Sequence, residues 1–191
     1  MDLSHVIEES HNGLLERLGR VTEGDLSSQT PCSEWDIAGL LRHVTGGNRM
    51  VVFLLAGGDP SEIRPIFVEA AQIEGSALLQ AARSSVEGAR DAMLAVSDPS
   101  APVGFPGLGE IPAGRMIGMR CNDAALHTWD LARTIGADER MSPAVVEACL
   151  HGMEAMAASV PPGMFGEGPS GTLGEDADPQ SRLLDLSGRR P

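Results

Sequence analysis

The sequence predicts an all-α protein, a bundle of four or five amphipathic helices followed by an irregular tail. Apolar residues recur at helical spacing in several long segments, whereas the alternating pattern of strands is almost absent. Helix-capping residues precede these segments, and glycine or proline follows them. A chain of 191 residues buries a sizeable core, so helices joined by short links are expected to pack as one bundle.

The first helix is expected to begin at a Ser4 cap. Its apolar stripe consists of Val6, Ile7, Leu14, Leu15 and Leu18. A loop rich in turn residues, SSQTPCSEWD at 27–36, follows and ends with Ser33 as the expected cap of the next helix. This part of the chain therefore predicts two helices joined by an ordered loop.

The second helix is expected to run to the GGDP segment at 57–60. Its apolar residues are Ile37, Leu40, Leu41, Val44 and the run 50–55. Gly46 and Gly47 lie inside it, and they either weaken the helix or let another group pack closely. The run 50–55 is apolar nearly all round and must be covered, so a homodimer through the bundle helices is one expectation.

Two further long segments complete the predicted bundle. An Ala-rich helix is expected over about 65–96, followed by an irregular segment at 97–114. A fourth helix is expected over about 114–135. Together with the first two helices, these segments predict a four-helix core.

The rest of the chain is expected to add one more helix and a tail. Ser142-Pro143 is a favourable helix start, and the helix is expected to end near 160–163. The Gly/Pro/Asp-rich remainder has one expected helical turn, around 181–186. We therefore place the bundle domain at 1–163 and the tail at 164–191, where it either packs on the bundle or trails from it.

Composition excludes several classes of function. The net charge is −13, so phosphate backbones are repelled and nucleic-acid binding is not expected. All 14 basic residues are arginine, which excludes Schiff-base chemistry on lysine. The three cysteines form no CxxC pair, no leader is evident, and the apolar run at 50–56 is too short for a bilayer. We expect a cytoplasmic protein that does not bind membranes.

The segment 121–136, CNDAALHTWDLARTIG, contains the chemically interesting part of the fourth helix. Asp123 and His127 are four residues apart and Asp130 follows three later, so the three side chains project from one arc. With Arg120 they form a polar strip opposite a wide apolar surface. Such a strip is either the solvated face of a bundle helix or the lining of a cavity between helices.

His43 on the second helix favours the cavity. Two imidazoles and one carboxylate from two helices make a three-ligand metal set, here His43, Asp123 and His127. These donors suit Zn, Ni or Fe(II) and leave positions open for water or substrate. A histidine at the edge of a core is also a common structural residue, so the spacing alone leaves both interpretations open.

Arg120 and Asp130 flank this set and are the candidate catalytic residues. Asp130 either orients a ligand histidine or acts as a base, or it is a surface carboxylate paired with Arg133 or Arg120. Arg120 either clamps a substrate carboxylate or pairs with Asp123.

The remaining histidine and cysteine residues considered are expected to have structural or surface positions outside the candidate site. His11 is expected to be exposed beside Glu8, and Cys32 to be a loop thiol with no cationic neighbours. Cys121 and Cys149 fall on apolar stripes and are expected in the core.

Two sequence blocks, TPCSEWDIAGLLRHVTGG at 30–47 and DAALHTWDLARTIG at 123–136, together resemble the actinobacterial DinB/YfiT-like metal-binding family. More closely, they resemble the N-terminal domain of mycothiol-dependent maleylpyruvate isomerase, and the tail at 164–191 is similar to that of single-domain members. The resemblance implies a DinB/YfiT-like four-helix bundle with a divalent metal at one end of its core. The metal-ligand positions match His43, Asp123 and His127.

The resemblance also implies that the metal activates a low-molecular-weight thiol such as mycothiol for transfer or isomerisation. The isomerase branch has Glu at the position of Asp123, and it carries a second domain that contributes to its active site. We expect no such domain within this chain, and therefore a reaction other than maleylpyruvate isomerisation.

The leading hypothesis is a metal-dependent enzyme, with zinc as the first choice of metal and a thiol and a small electrophile as its partners. The alternatives are a non-catalytic metal-binding or stress-response protein, and a structural bundle without metal.

Overall fold

A computed structural model of the chain describes residues 2–32, 35–156, 168–174 and 176–191. These residues contain seven α-helices and one antiparallel hairpin, which confirms the predicted all-α bundle. The helices are α1 Leu3–Leu18, α2 Ile37–Leu55, α3 Arg64–Ala71, α4 Gly75–Leu94, α5 Ala113–Ile135, α6 Pro143–Met156 and α7 Pro179–Leu186. The hairpin pairs β1 Pro102–Phe105 with β2 Gly109–Pro112.

The core of the bundle consists of α1, α2, α4 and α5. Helix α2 packs against α4, and α1 packs against both α5 and α4. The buried side chains include the predicted stripe residues Leu14, Ile37, Leu40 and Leu41, together with Leu78 of α4 and Leu131 of α5, and all six are at most 1% exposed. Because α2 also contacts α5, polar residues on these two helices can meet inside the bundle.

The helix caps differ in detail from the prediction. Asp2, not Ser4, caps α1, because its carboxylate accepts a hydrogen bond from the Ser4 amide at 3.1 Å. Asp36 caps α2 by accepting from the Gly39 amide at 2.7 Å. Ser33, the expected cap, lies outside the described residues. Aspartate and serine cap equally well, so local sequence alone did not separate these candidates.

The prediction of one helix over 65–96 is wrong, since α3 ends at Ala71 and α4 begins at Gly75. Gly75 has a φ of 55°, a left-handed conformation that glycine adopts without steric cost. The segment 97–114 is not irregular throughout, because it contains the β1–β2 hairpin with Gly107 in its turn.

The helix predicted from Pro143 is confirmed at its start, and its expected end near 160–163 and the domain boundary at 163/164 lie outside the described residues. The turn expected at 181–186 is longer than predicted and forms the eight-residue helix α7. Helix α7 packs on α6 and buries Leu183 and Leu184 in a cluster with Trp129 of α5.

The apolar run 50–55 is covered largely by the chain itself. Val51 and Leu54 are buried, while Val52 remains 37% exposed. A homodimer stays a prediction. No helix in the described part of the chain is long and apolar enough to cross a bilayer.

Candidate metal centre

Helices α2 and α5 bring the three predicted metal ligands together. The Nε2 atom of His43 lies 3.0 Å from Oδ1 of Asp123, and Nε2 of His127 lies 3.6 Å from the same oxygen. One ligand atom from each of the three residues lies within 4.8 Å of the others. Two donors on a tetrahedral zinc ion are about 3.3 Å apart. The observed spacings lie on either side of that value, so the three residues fit a divalent ion.

The polar strip of α5 faces the interior, not solvent. The exposed fraction is 6% for Arg120, 4% for His127 and 0% for Asp130. The side chains of Asp123 and His43 are 26% and 32% exposed. The interpretation of this strip as a solvated face is therefore wrong, and the three donors are open to solvent on the side of Asp123 and His43.

His43 is held as a neutral imidazole beside Trp35. The two rings are stacked with centroids 4.6 Å apart and planes tilted by 32°. Burial lowers the pKa of His43 to about 3, and His127 and the charges of Arg120 and Arg189 add to this effect. In the metal-free protein the Nε2–H of His43 donates to Oδ1 of Asp123 at 3.0 Å, and a shift of this proton to Nδ1 would free the Nε2 lone pair for a metal.

His127 is oriented by a carboxylate behind it. Its Nδ1 lies 2.9 Å from Oδ2 of Asp130, which places the proton of a neutral ring on Nδ1. Its Nε2 then carries a bare lone pair that points toward the Asp123 carboxylate. Two acceptors facing each other are stabilised by a cation between them. A carboxylate behind a histidine is also the arrangement that orients metal-bound imidazoles in proteins.

Asp130 is completely buried, and both its oxygens are occupied. Nε of Arg189 donates to Oδ1 at 3.1 Å, and Nη2 of Arg189 donates to Oδ2 at 2.7 Å. Burial by itself raises the pKa of Asp130, but the hydrogen bonds from His127 and Arg189 outweigh it and lower the pKa to about 2. The alternative of a surface carboxylate is wrong, and Arg133 pairs with Glu139 instead.

Arg120 forms an ion pair with Oδ2 of Asp123 one turn along α5. Burial lowers the pKa of Arg120 to about 10, which leaves the guanidinium charged at neutral pH. Gly47 of α2 provides the space for it, because a Cβ atom at position 47 would overlap the guanidinium. Of the two interpretations given to Gly47, close packing is the observed one.

Cys32 and Arg189 complete the surroundings of Asp130. The Cys32 thiol donates to Oδ2 at 3.3 Å and lies 3.5 Å from Nη2 of Arg189. The expectation that Cys32 has no cationic neighbour is therefore wrong. Arg189 was missed because it lies 59 residues from Asp130 in a tail whose composition gives no sign of docking.

Three other assignments can be compared with the structure. His11 is wholly buried instead of exposed beside Glu8, and its Nδ1 lies 3.0 Å from the carbonyl oxygen of Ile7. Burial is the main reason that the pKa of His11 is lowered to about 4. Cys121 and Cys149 are in the core as predicted, and burial raises their pKa values to about 11 and 12.

The fold is shared with solved structures of the mycothiol-dependent maleylpyruvate isomerase and of a histidine-to-alanine mutant of that enzyme. The TM-scores are 0.64 and 0.65 at 16% and 15% identity, over 80% of this chain and 68% of each of those chains. At this identity the similarity establishes the fold alone.

Sequence comparison gives a closer relationship. The chain is 32% identical over 151 residues to uncharacterized proteins from two strains of Mycobacterium tuberculosis, covering 79% of this chain and 75% of theirs. Residues 7–132 match the family described as the mycothiol maleylpyruvate isomerase N-terminal domain. This match runs from within α1 to within α5 and includes all three candidate ligands, and the chain therefore belongs to that family.

Proposed function

We propose that the chain binds one divalent metal ion, zinc in the first instance, through His43, Asp123 and His127. We further propose that it uses the ion to activate a low-molecular-weight thiol such as mycothiol. The thiol would act on a small electrophile, by S-transfer or by thiol-assisted isomerisation. The observation that carries this proposal is that Nε2 of His43 and Nε2 of His127 converge on Oδ1 of Asp123, at 3.0 and 3.6 Å.

Zinc held by His43, Asp123 and His127 would supply Lewis acidity that lowers the pKa of a thiol, so that the thiol would release its proton to solvent near neutral pH. In a transfer reaction, the thiolate sulfur forms a bond to an electrophilic carbon as the leaving group departs with its electron pair. In an isomerisation, sulfur adds to a carbon–carbon double bond, the resulting single bond rotates, and the thiolate is expelled.

The protein residues would prepare the centre for this chemistry. His43 and His127 would be the neutral donors, and Asp130 would keep the proton of His127 on Nδ1. Arg120 would compensate the charge of Asp123, so the carboxylate would reduce the Lewis acidity of the ion less than an unpaired one. Asp130 and Arg120, first considered as catalytic groups, are thus proposed to position the ligands.

A non-catalytic metal-binding role is the alternative, and one observation favours it. Both arginines beside the centre are engaged by its own carboxylates, Arg120 by Asp123 and Arg189 by Asp130. Neither is therefore available to bind a substrate carboxylate in this arrangement.

The metal content of tag-free protein, measured by mass spectrometry, tests the first part of the proposal. We expect close to one divalent ion per chain in the wild type and loss of the ion in His43→Ala. His151→Ala, which alters an exposed histidine on α6, is the matched control and should keep the ion. No metal in the wild type, even after incubation with Zn²⁺, would overturn the ligand assignment.

Thiol consumption tests the second part. Zinc-loaded protein is incubated with mycothiol and a panel of electrophiles that includes alkyl halides and cis-alkenoic acids, with His127→Ala as the metal-deficient comparison. Consumption or isomerisation above the level of His127→Ala would support an enzyme. An intact metal centre without turnover on any electrophile would favour the non-catalytic alternative.

A further inference from the structure

We propose that Arg189, in the C-terminal segment after α7, is a positioning residue of the metal centre. By clamping Asp130 it fixes the His127 ring with its proton on Nδ1 and its bare Nε2 toward His43 and Asp123. This inference deepens the proposed function and rests on it only for the effect on metal affinity, since the state of the His127 ring is a property of the metal-free protein.

The clamp is bidentate. The guanidinium of Arg189 donates from Nε to Oδ1 and from Nη2 to Oδ2 of the Asp130 carboxylate, the fork geometry that holds a carboxylate plane in one orientation. Arg189 is itself largely buried, with 10% of its side chain exposed against 0% for Asp130. A buried pair with two parallel hydrogen bonds is far more ordered than a surface ion pair.

The two oxygens of Asp130 are used differently. Oδ2 accepts from His127, from the Cys32 thiol and from Arg189. Among the described residues, Arg189 is the one donor to Oδ1. Without Arg189, Oδ1 would lose that donor and the carboxylate plane would be free to turn about its bond to Cβ. The acceptor that keeps the His127 proton on Nδ1 would then no longer be fixed.

The C-terminal segment is built to deliver this side chain. Leu183 and Leu184 of α7 are buried beside Trp129, the residue that precedes Asp130 on α5. After α7 the chain turns at Gly188, whose φ is 78°, and the Arg189 amide donates to the Leu184 carbonyl at 2.9 Å. The backbone of Arg189 is therefore anchored to a helix that is itself docked against the buried face of α5.

Metal binding and docking of the C-terminal segment are consequently coupled through one chain of contacts. It runs from Arg189 through Asp130 to His127, and it links the tail to a ligand atom without touching the ion. Loss of partners behind a metal-binding histidine typically costs about 10–100-fold in metal affinity. Arg189 acts one contact further away, so we expect an effect near the lower end, about tenfold.

The first test is ¹⁵N NMR of the His127 ring in metal-free protein, which distinguishes the two neutral tautomers. The wild type should show an unprotonated Nε2. Arg189→Gln should shift the ring toward the other tautomer, and Arg189→Lys, which keeps the charge but not the fork, should recover part of the wild-type signal. Arg182→Gln is the matched control, because it removes a surface contact of α7 to Glu154. An unchanged His127 spectrum in Arg189→Gln would overturn the proposal.

The second test is a double-mutant cycle on zinc affinity, measured by competition with a chromophoric chelator. Arg189→Gln alone should weaken zinc binding about tenfold. In an Asp130→Asn background it should have little further effect, because Arg189 acts through Asp130. Equal tenfold losses in both backgrounds would overturn the proposed route. A wild type that binds no zinc but still shows the tautomer shift would refute the proposed function and support the role of Arg189.

Discussion

Asp123 and Asp130 are the same residue type on the same helix, seven positions apart, yet they differ in burial and in the groups that surround their carboxylates. Each has its own arginine, Arg120 for Asp123 and Arg189 for Asp130. Asp130 is completely buried, and both its oxygens accept hydrogen bonds from donors that the chain supplies. Asp123 is 26% exposed, and its Oδ1 faces two imidazole nitrogens.

The difference is that the partners of Asp130 are all supplied by the protein, whereas the surroundings of Asp123 leave room for a bound cation. The surroundings of Asp130 are satisfied within the protein, so that carboxylate serves to fix its neighbours. Oδ1 of Asp123 accepts from Nε2–H of His43 at 3.0 Å, and a neutral His127 presents its Nε2 lone pair to the same oxygen, a repulsion that a cation relieves. Since each arginine offsets one carboxylate, a bound divalent ion would keep most of its charge despite the −13 charge of the chain.

The largest expected effect comes from removing the Asp123 carboxylate, which pairs with Arg120. Asp123→Ala removes a proposed metal ligand and leaves the Arg120 guanidinium buried without its partner. An uncompensated buried charge costs about 3–5 kcal/mol. We expect a loss of this size in the free energy of unfolding of metal-free protein, measured by urea denaturation with chelator present.

The matched control for Asp123→Ala is Glu139→Ala, which removes a partly exposed carboxylate that pairs with Arg133. A surface pair of this kind is worth about 0–1 kcal/mol, so the two variants should differ clearly. A loss below about 1 kcal/mol for Asp123→Ala would show that Arg120 finds another partner or solvent.

As the pH falls, the free energy of unfolding should decrease first through His11, which lies near the Arg120–Asp123 pair, and only at lower pH through Asp130. His11 contributes here because it is buried and near enough to Arg120 for that charge to lower its pKa further. Its pKa is about 4 in the fold and about 6.5 unfolded, so the unfolded state binds a proton first as the pH falls. Stability is therefore fully present above pH 6.5 and is lost between about pH 6.5 and 4, by about 3 kcal/mol from His11.

Urea titrations of metal-free wild type, His11→Leu and His5→Leu at several pH values test this. His11→Leu should flatten the decline between pH 6.5 and 4, whereas His5→Leu, exposed on the same helix, should not. Part of the decline should persist in His11→Leu, since the pKa of His43 is lowered in the same direction. The Asp130 contribution should be lost only below about pH 3.8, because its pKa in the fold is about 2. Identical pH profiles for the three proteins would contradict the burial argument for His11.

A smaller effect is expected when the carboxylate behind His127 is altered and all three proposed metal ligands are kept. Asp130→Asn keeps the shape of the side chain and an acceptor for His127, but it loses the charge that Arg189 pairs with. Zinc affinity should fall about 10–100-fold, less than in Asp123→Ala, as measured by chelator competition. If Asp130→Asn abolished binding as completely as Asp123→Ala, the distinction between ligand and support would fail.

The sequence predicted which side chains converge around Asp123 and Asp130, but it did not predict whether they face the interior or solvent. The spacing of Asp123, His127 and Asp130 on one helix, with His43 on another, was enough to predict which side chains converge, because helical periodicity fixes their common face. Whether that face pointed inward depended on which helices cover it. That is a property of packing, and the pattern of α5 taken alone favoured the solvated face, which is wrong.

The partners of Asp130 were beyond prediction for a different reason. Arg189 lies in a Gly/Pro/Asp-rich segment, and nothing local indicates that Leu183 and Leu184 dock on Trp129 and carry it to α5. The break between α3 and α4 was missed because the segment 65–96 contains mostly residues that favour a helix. A single left-handed glycine, Gly75, outweighs that preference at the junction.

A substitution at Gly47 should give the smallest of these effects. It would disturb Asp123 only indirectly, by displacing the Arg120 guanidinium that pairs with Asp123. Gly47→Ala would place a Cβ atom on the Arg120 guanidinium, which must then move away from Asp123. We expect a cost of about 1–3 kcal/mol in metal-free protein, the usual range for overpacking. Gly118→Ala, where a Cβ on α5 meets no atom within 4 Å, is the control and should stabilise by about 0.5–1 kcal/mol.

The decisive measurement is Gly47→Ala in an Arg120→Ala background. If the cost comes from the overlap, it should vanish there, and the substitution should become as favourable as Gly118→Ala because only the gain in helix propensity remains. A cost that persisted without Arg120 would place the constraint at position 47 in the backbone of α2. The space between α2 and α5 would then not be reserved for the arginine that offsets Asp123.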